Sequence, residues 1–162
     1  MKKLILVRHA KSSWSHDVID HQRPLKKRGL NDSDIVSRSL KTLNYKVEKL
    51  ISSDAIRTKT TAEIFISNLD IDRNLVHFNH NLYDFSGENL IKVIKSIDDA
   101  LNCVMVFGHN HAITAFVNTY GSKNIYNVPT CGVVIIEFNT DKWSSLEPGK
   151  TLKTLFPKDL KA

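Results

Sequence analysis

Glycine, proline and cysteine are scarce in this 162-residue chain, at six, four and two residues. So few glycines and prolines exclude a collagen-like or low-complexity segment. The two cysteines, Cys103 and Cys131, have no CxxC spacing. That argues against a zinc site and against a disulfide framework. Cys103 opens the apolar run CVMVFGH and is expected as a buried thiol. Long apolar runs are missing as well. The opening MKKLILVRHA shares two lysines with secretory leaders, but its run Leu4–Val7 is interrupted by Arg8. Such leaders carry about 7–15 apolar residues. No stretch approaches the roughly 20 apolar residues of a membrane span. The expectation is a cytoplasmic protein with no membrane partner.

What is present is ordinary for a globular chain: 41% apolar and 25% charged residues. The length suits one domain, residues 1–162, with a sizeable core. Lysine and arginine (23) exceed aspartate and glutamate (17), for a formal charge of +6. The cations are dispersed, with one modest cluster, RPLKKRG (23–29). Without an aromatic-rich platform, a nucleic-acid partner is disfavoured, and an anionic substrate remains open.

Apolar runs and apolar periodicity alternate along the chain. KKLILVR (2–8), VEKLISS (47–53), CVMVFGH (103–109) and GVVIIEF (132–138) read as buried strands. LVHF (75–78) is a weaker strand, and TLKTLF (151–156) alternates like an edge strand. Helical spacing occurs over 25–43 (Leu30, Ile35, Val36, Leu40, Leu43), 55–69, 86–97 and 112–120. Strands alternating with helices predict an α/β fold, three-layered, with a central, mostly parallel sheet flanked by helices. In such sheets ligands gather outside the carboxyl ends of the strands.

The polar residues that end the apolar runs therefore carry the functional signal. Arg8 and His9 follow the first strand, Ser52, Ser53 and Arg57 the second, and Gly108 and His109 the strand at 103–109. Two arginines and two histidines converging on one rim, with no carboxylate in view, would repel one another in an empty site. A phosphoryl dianion would relieve that repulsion, and arginine binds it bidentately. Helix starts after two of these strands would add amide donors. Neutral imidazole is also nucleophilic near pH 7 and can carry a covalent phosphoryl group.

These residues fall in blocks that resemble the histidine phosphatase superfamily, the phosphoglycerate-mutase-like enzymes. LVRHAKSSWS resembles its Arg-His-Gly signature, SSDAIRTKTTAE its second block and VFGHNHAI its Gly-His block. DHQRPLKKRG, LYDFSGENL, PTCGVVIIEF and FPKDL resemble the small SixA-type phosphohistidine phosphatase branch. The likeness implies a phosphoglycerate-mutase-like fold, no cofactor and no metal. It implies His9 as nucleophile and phosphohistidine intermediate, with Arg8, Arg57 and His109 lining the phosphate pocket. Ser15 falls where many relatives place an asparagine on the phosphate, and Asn110 follows the Gly-His pair; both are candidate substrate ligands. Ala10 replaces the usual glycine, and His111 stands where proline is expected.

Larger relatives supply a glutamate as general acid between the second and third blocks. The matching stretch here, NHNLYDFSGEN, leaves Tyr83, Asp84, Glu88 or no residue at all for that role. A site without a firm acid suits phosphoramidates, because an alkoxide leaving group needs a proton far more than imidazole does. The expected activity is a metal-independent phosphatase acting on a phosphohistidine protein such as a phosphorelay domain. A small-molecule phosphomonoester phosphatase is the enzymatic alternative, and a non-catalytic phosphoprotein- or nucleic-acid-binding module is the other. His16, His21, His77 and His80 read as surface residues. The His109–His111 pair is a poor metal site, because on a helix start the two rings diverge.

Overall fold

The computed structural model describes residues 1–161. Four strands of its single six-stranded sheet run parallel: β1 (Lys2–Arg8), β2 (Lys49–Ser52), β3 (Val76–Phe78) and β4 (Cys103–Gly108). β5 (Val133–Phe138) lies antiparallel to β1, and β6 (Lys150–Leu155) antiparallel to β5. The spatial order is β3-β2-β4-β1-β5-β6. β1 is central, so both its faces are covered, which is why Leu4, Ile5, Leu6 and Val7 form an unbroken apolar run at 0% exposure. Each such side chain contributes about 1.5–3 kcal/mol on burial.

Alternation along β1 sorts these residues between two cores. Leu4 and Leu6 join the core that holds Leu90 and Ile94 of α3 (Glu88–Lys95) and Ile113 and Phe116 of α4 (Ala112–Tyr120). Ile5 and Val7 join the opposite core with Val36 and Leu40 of α1 (Lys27–Lys41) and Ala62 and Phe65 of α2 (Ile56–Leu69). A short α5 (Pro157–Leu160) follows β6. The result is a three-layer α/β fold with a mostly parallel sheet, as the alternation of periods predicts. Leu30 departs from the predicted stripe. It is 44% exposed, because α1 turns a small-residue face (Gly29, Ser33, Ser37) inward instead.

Those small residues position the loop after β1. A Cβ on Gly29 would collide with the backbone of Lys11, so α1 can lie this close only with glycine there. Lys26 N–H donates to Lys11 O at 2.9 Å, and Ser13 N–H to Pro24 O at 2.8 Å. The loop is thus pinned against the entry to α1. At the other side of β1, Cys131 N–H donates to Arg8 O and His9 O, both at 3.0 Å. No helix among the described residues is long and apolar enough to cross a membrane. Cys103 and Cys131 are both buried and unlinked, and burial pushes their thiols up to about 11 and about 12.

Candidate active site

His9, Ser53 and His109 sit at the carboxyl ends of β1, β2 and β4, where backbone bonds lock the three strand ends together. His9 N–H donates to Gly108 O at 3.1 Å, and Ser53 N–H to Phe107 O at 3.1 Å. Arg57 enters from the first turn of α2 and is 3% exposed. The convergence expected from the strand ends is therefore present. The His9 and His109 rings lie 5.2 Å apart, and Arg57 Nε is 3.4 Å from His9 Nε2.

The tautomer of His9 follows from its neighbours. Nδ1 lies 2.8 Å from Ala10 O, and a carbonyl can only accept, so Nδ1 carries the proton. Nε2 then bears the lone pair and accepts from Arg57 Nε. Burial, with the Arg57 and Arg8 charges beside it, pushes the His9 pKa down to about 3 despite its bond to Ala10 O. The ring is neutral and nucleophilic throughout the physiological range. His109 is also pushed down, to about 2, by burial and then by His9 and Arg57. Its Nε2 sits 2.8 Å from Ser53 Oγ and 3.3 Å from Thr58 Oγ1. Ser53 Oγ itself accepts from Ala55 N–H, so its hydroxyl proton is free to go to Nε2. That leaves the proton of His109 on Nδ1, which is buried without a partner among the described residues.

A cavity of about 250 Å³ opens over His9. Arg8, Lys11, Arg23 and Arg57 line it with one carboxylate, Asp20, a surplus of three positive charges. Arg8 Nη1 donates to Val128 O at 2.8 Å, and Arg8 Nε is buried without a partner among the described residues. Arg23 donates to Ser12 Oγ and lies 3.3 Å beneath the ring of Trp14, which is 76% exposed. The strand-end residues alone predict that no carboxylate faces the cations. Asp20 corrects it: its Oδ2 accepts from Arg57 Nη2 at 3.0 Å and from the Tyr83 hydroxyl, and its Oδ1 from Arg23 Nη1 at 3.4 Å. Burial raises the Asp20 pKa, but the bonds from Tyr83 and Arg57 outweigh it and hold the carboxyl below its ordinary range. Burial and the bond to Asp20 raise Tyr83. Asp20 therefore orients Arg57 as an anion, and Tyr83 stays protonated.

The remaining sequence candidates divide. Asn110 lines the cavity, but its side chain is engaged: Oδ1 accepts from Thr114 N–H and Oγ1, and Nδ2 donates to Asn127 Oδ1. Ser15 is exposed, bonded to Ser13 Oγ and absent from the lining, where Ser12 stands instead. Of the three acid candidates only Tyr83 bonds to a lining residue, donating its hydroxyl to Asp20. The Asp84 carboxylate is taken up by the amides of Ser86, Gly87, Asn89 and Leu90 at the start of α3. Glu88 lines a separate, shallow depression on α3 with Ile91 and Lys92. Arg23, Ser12, Lys11, Trp14, Phe85 and Thr130 complete the lining. All of these lie in the stretches that carry the family likeness: Lys11, Ser12 and Trp14 in LVRHAKSSWS, Arg23 in DHQRPLKKRG, Phe85 in LYDFSGENL and Thr130 in PTCGVVIIEF. None is given a role by its block alone.

A family model described as the histidine phosphatase superfamily, branch 1, matches residues 4–85. An uncharacterised chloroplastic protein of Arabidopsis thaliana is 29% identical over 154 residues, covering 88% of this chain and 69% of that protein. An uncharacterised protein of Mycobacterium leprae is 26% identical over 154 residues, covering 87% of this chain and 92% of its own. Among solved structures, a putative phosphohistidine phosphatase SixA from Agrobacterium tumefaciens superposes with a TM-score of 0.81 at 18% identity, over 95% of this chain and 97% of that one. The protein histidine phosphatase SixA complexed with tungstate gives 0.79 at 18% identity, over 98% and 99%. At such identities the likeness speaks for the fold, which is the phosphoglycerate-mutase-like fold of those structures.

Proposed function

Since the chain belongs to the histidine phosphatase superfamily, we propose that it is a metal-independent phosphatase that hydrolyses phosphohistidine on a protein through a covalent intermediate at His9. The observation that carries this reading is the unprotonated His9 Nε2, set against the Arg57 guanidinium in a cationic cavity. Substrate phosphorus would approach Nε2 with its equatorial oxygens on Arg8, Arg57 and Arg23, which line the cavity. These fixed donors stabilise charge that develops in the transition state. The His109 ring, 5.2 Å from that of His9, lies next to them but outside the lining. Attack forms the P–N bond to His9 and breaks the P–N bond of the substrate, whose imidazole leaves with a proton. Water then attacks the phosphoryl group, releasing inorganic phosphate and free His9.

The leaving group follows from the acid–base inventory. Asp20 is ionised, Asp84 caps a helix, and Tyr83 is a weak acid made weaker. An alkoxide would leave poorly from such a site, whereas imidazole, with an ordinary pKa near 6.5, takes its proton from solvent. The rim also favours a macromolecule: Trp14, Ile19 and Phe85 are 76%, 67% and 46% exposed. The surplus of positive charge would steer an acidic phosphorelay partner to it. Two buried free thiols suit a reducing, cytoplasmic setting.

The test is a substrate panel measured in EDTA: a phosphorylated histidine-containing transfer domain, p-nitrophenyl phosphate and sugar phosphates. The phosphohistidine protein should give the highest kcat/KM, undiminished by the chelator. Fastest turnover of a sugar phosphate would reject the leaving-group argument, and loss of activity in EDTA would reject metal independence.

A further inference from the structure

Beside the pocket, but outside its lining, three loops bring His21, Asp54 and His80 together. His21 lies on a 3-10 turn (Asp20–Gln22), Asp54 between β2 and α2, and His80 on a 3-10 turn (His80–Leu82) after β3. His21 Nε2 is 2.8 Å from Asp54 Oδ1, and His80 Nδ1 is 3.0 Å from both Asp54 oxygens. One ligand atom from each of the three residues lies within 4.8 Å of the others. The carboxylate is not serving the backbone. Asp72, Asp84 and Asp98 all accept amide protons from residues that follow them, whereas Asp54, among the described residues, accepts only from the two imidazoles.

We propose that His21, Asp54 and His80 form a binding site for Zn2+ that clamps one wall of the pocket. Two imidazole nitrogens and one carboxylate are the donor set of an open zinc site, with a fourth position left to water. Bonds of about 2.0–2.2 Å place tetrahedral ligands about 3.4 Å apart. The two imidazole–carboxylate contacts therefore need to open by about half an ångström. The two imidazole nitrogens, within 4.8 Å of each other, need at most a small approach. On binding, the proton of each ligating nitrogen moves to the other nitrogen of its ring. His80 is the exposed member, with its side chain 70% accessible, and gives the ion its way in. The Tyr83 ring packs against both imidazoles, with centroids 5.0 and 5.7 Å away, and its hydroxyl donates to Asp20, the neighbour of His21. An ion bridging the two turns would therefore tie together the loops beside the Asp20–Tyr83 pair and add stability rather than a catalytic group. The site stands whether or not the pocket is a phosphatase.

Isothermal titration of the EDTA-stripped full chain with ZnCl2 should show one equivalent bound. His21→Ala, Asp54→Asn and His80→Ala should each weaken binding by at least about tenfold, with His77→Ala unchanged. Zn2+ should raise the melting temperature of the wild type but not of His80→Ala, whose circular dichroism should match the wild type. Turnover by His80→Ala in EDTA should equal that of the wild type. No stoichiometric binding, binding that survives any of the three substitutions, or loss of binding in His77→Ala would overturn the proposal.

Discussion

Two pairs of histidines lie on either side of the Tyr83 ring and have opposite surroundings. His9 and His109 are almost fully buried, their rings 5.2 Å apart beside Arg57, with no carboxylate among the described residues hydrogen-bonded to either imidazole. His21 and His80 are more open, their rings 5.8 Å apart, and they share the carboxylate of Asp54. Tyr83 packs edge-on against His109 at 5.3 Å and against His21 at 5.0 Å. The same side chain is thus set up as an anion handler on one side and a cation handler on the other. The neighbouring charges decide which: guanidiniums leave a neutral imidazole to meet an oxyanion, and a carboxylate gathers imidazoles around a metal.

Removing charge from the anion side should have the larger effect. Arg57→Ala should lower kcat/KM on the phosphohistidine protein by about 10²–10³-fold, the scale of deleting one donor to a developing oxyanion. Arg57→Lys should not restore it, because a point charge cannot bond His9 and Asp20 together. Steady-state kinetics on folded variants measure both. Full activity in Arg57→Lys would mean that charge alone, without the fork, suffices.

Asp20→Asn should act through Arg57 and cost about 10–100-fold in turnover, the scale of a misplaced catalytic group. It also removes the one negative charge among the cavity's four cations, so inorganic phosphate should bind more tightly. A variant with weaker phosphate binding would show that Asp20 does more than orient the guanidinium.

The smallest effect concerns pH. The free enzyme's kcat/KM should show no enzyme titration between about pH 7 and about pH 5, because His9 is held at about 3 and His109 at about 2. A limb near 6.5 would mean that burial does not keep His9 neutral. Stability should respond where activity does not. Both folded-state values lie below the unfolded 6.5, so as pH falls through 6.5 the unfolded chain takes up protons first. The native state is then destabilised progressively down to about pH 3. The slope approaches about 1.4 kcal/mol per pH unit for each histidine, and denaturant midpoints across that range measure it.

The two histidine pairs also differ in how far the sequence exposes them. His9 and His109 end apolar runs, and strand ends in a parallel sheet share one rim, so the run LILV and the run VMVF already place both rings together. Arg57 is legible for a similar reason, four residues beyond LISS. His21 and His80 end no run. They lie on short turns, and their partner Asp54 is 33 and 26 residues away, so their meeting depends on how three loops fold over the rim. Asp20 opens the stretch DHQRPLKKRG, but its role is hidden in the same way, since its contacts to Arg57 and Tyr83 span 37 and 63 residues. Ser15 against Ser12 is a matter of loop path, which apolar periodicity does not encode. The antiparallel setting of β5 is equally silent, because GVVIIEF is buried on both faces whichever way it runs.

The covalent intermediate tests the account most directly. Wild-type protein quenched during turnover of a phosphorylated histidine-containing transfer domain should carry one acid-labile phosphoryl group, mapped by mass spectrometry to His9. His9→Ala should carry none and should lose turnover by about a thousandfold or more. Turnover without that adduct, or an adduct that persists in His9→Ala, would contradict the assignment of the buried imidazole as nucleophile.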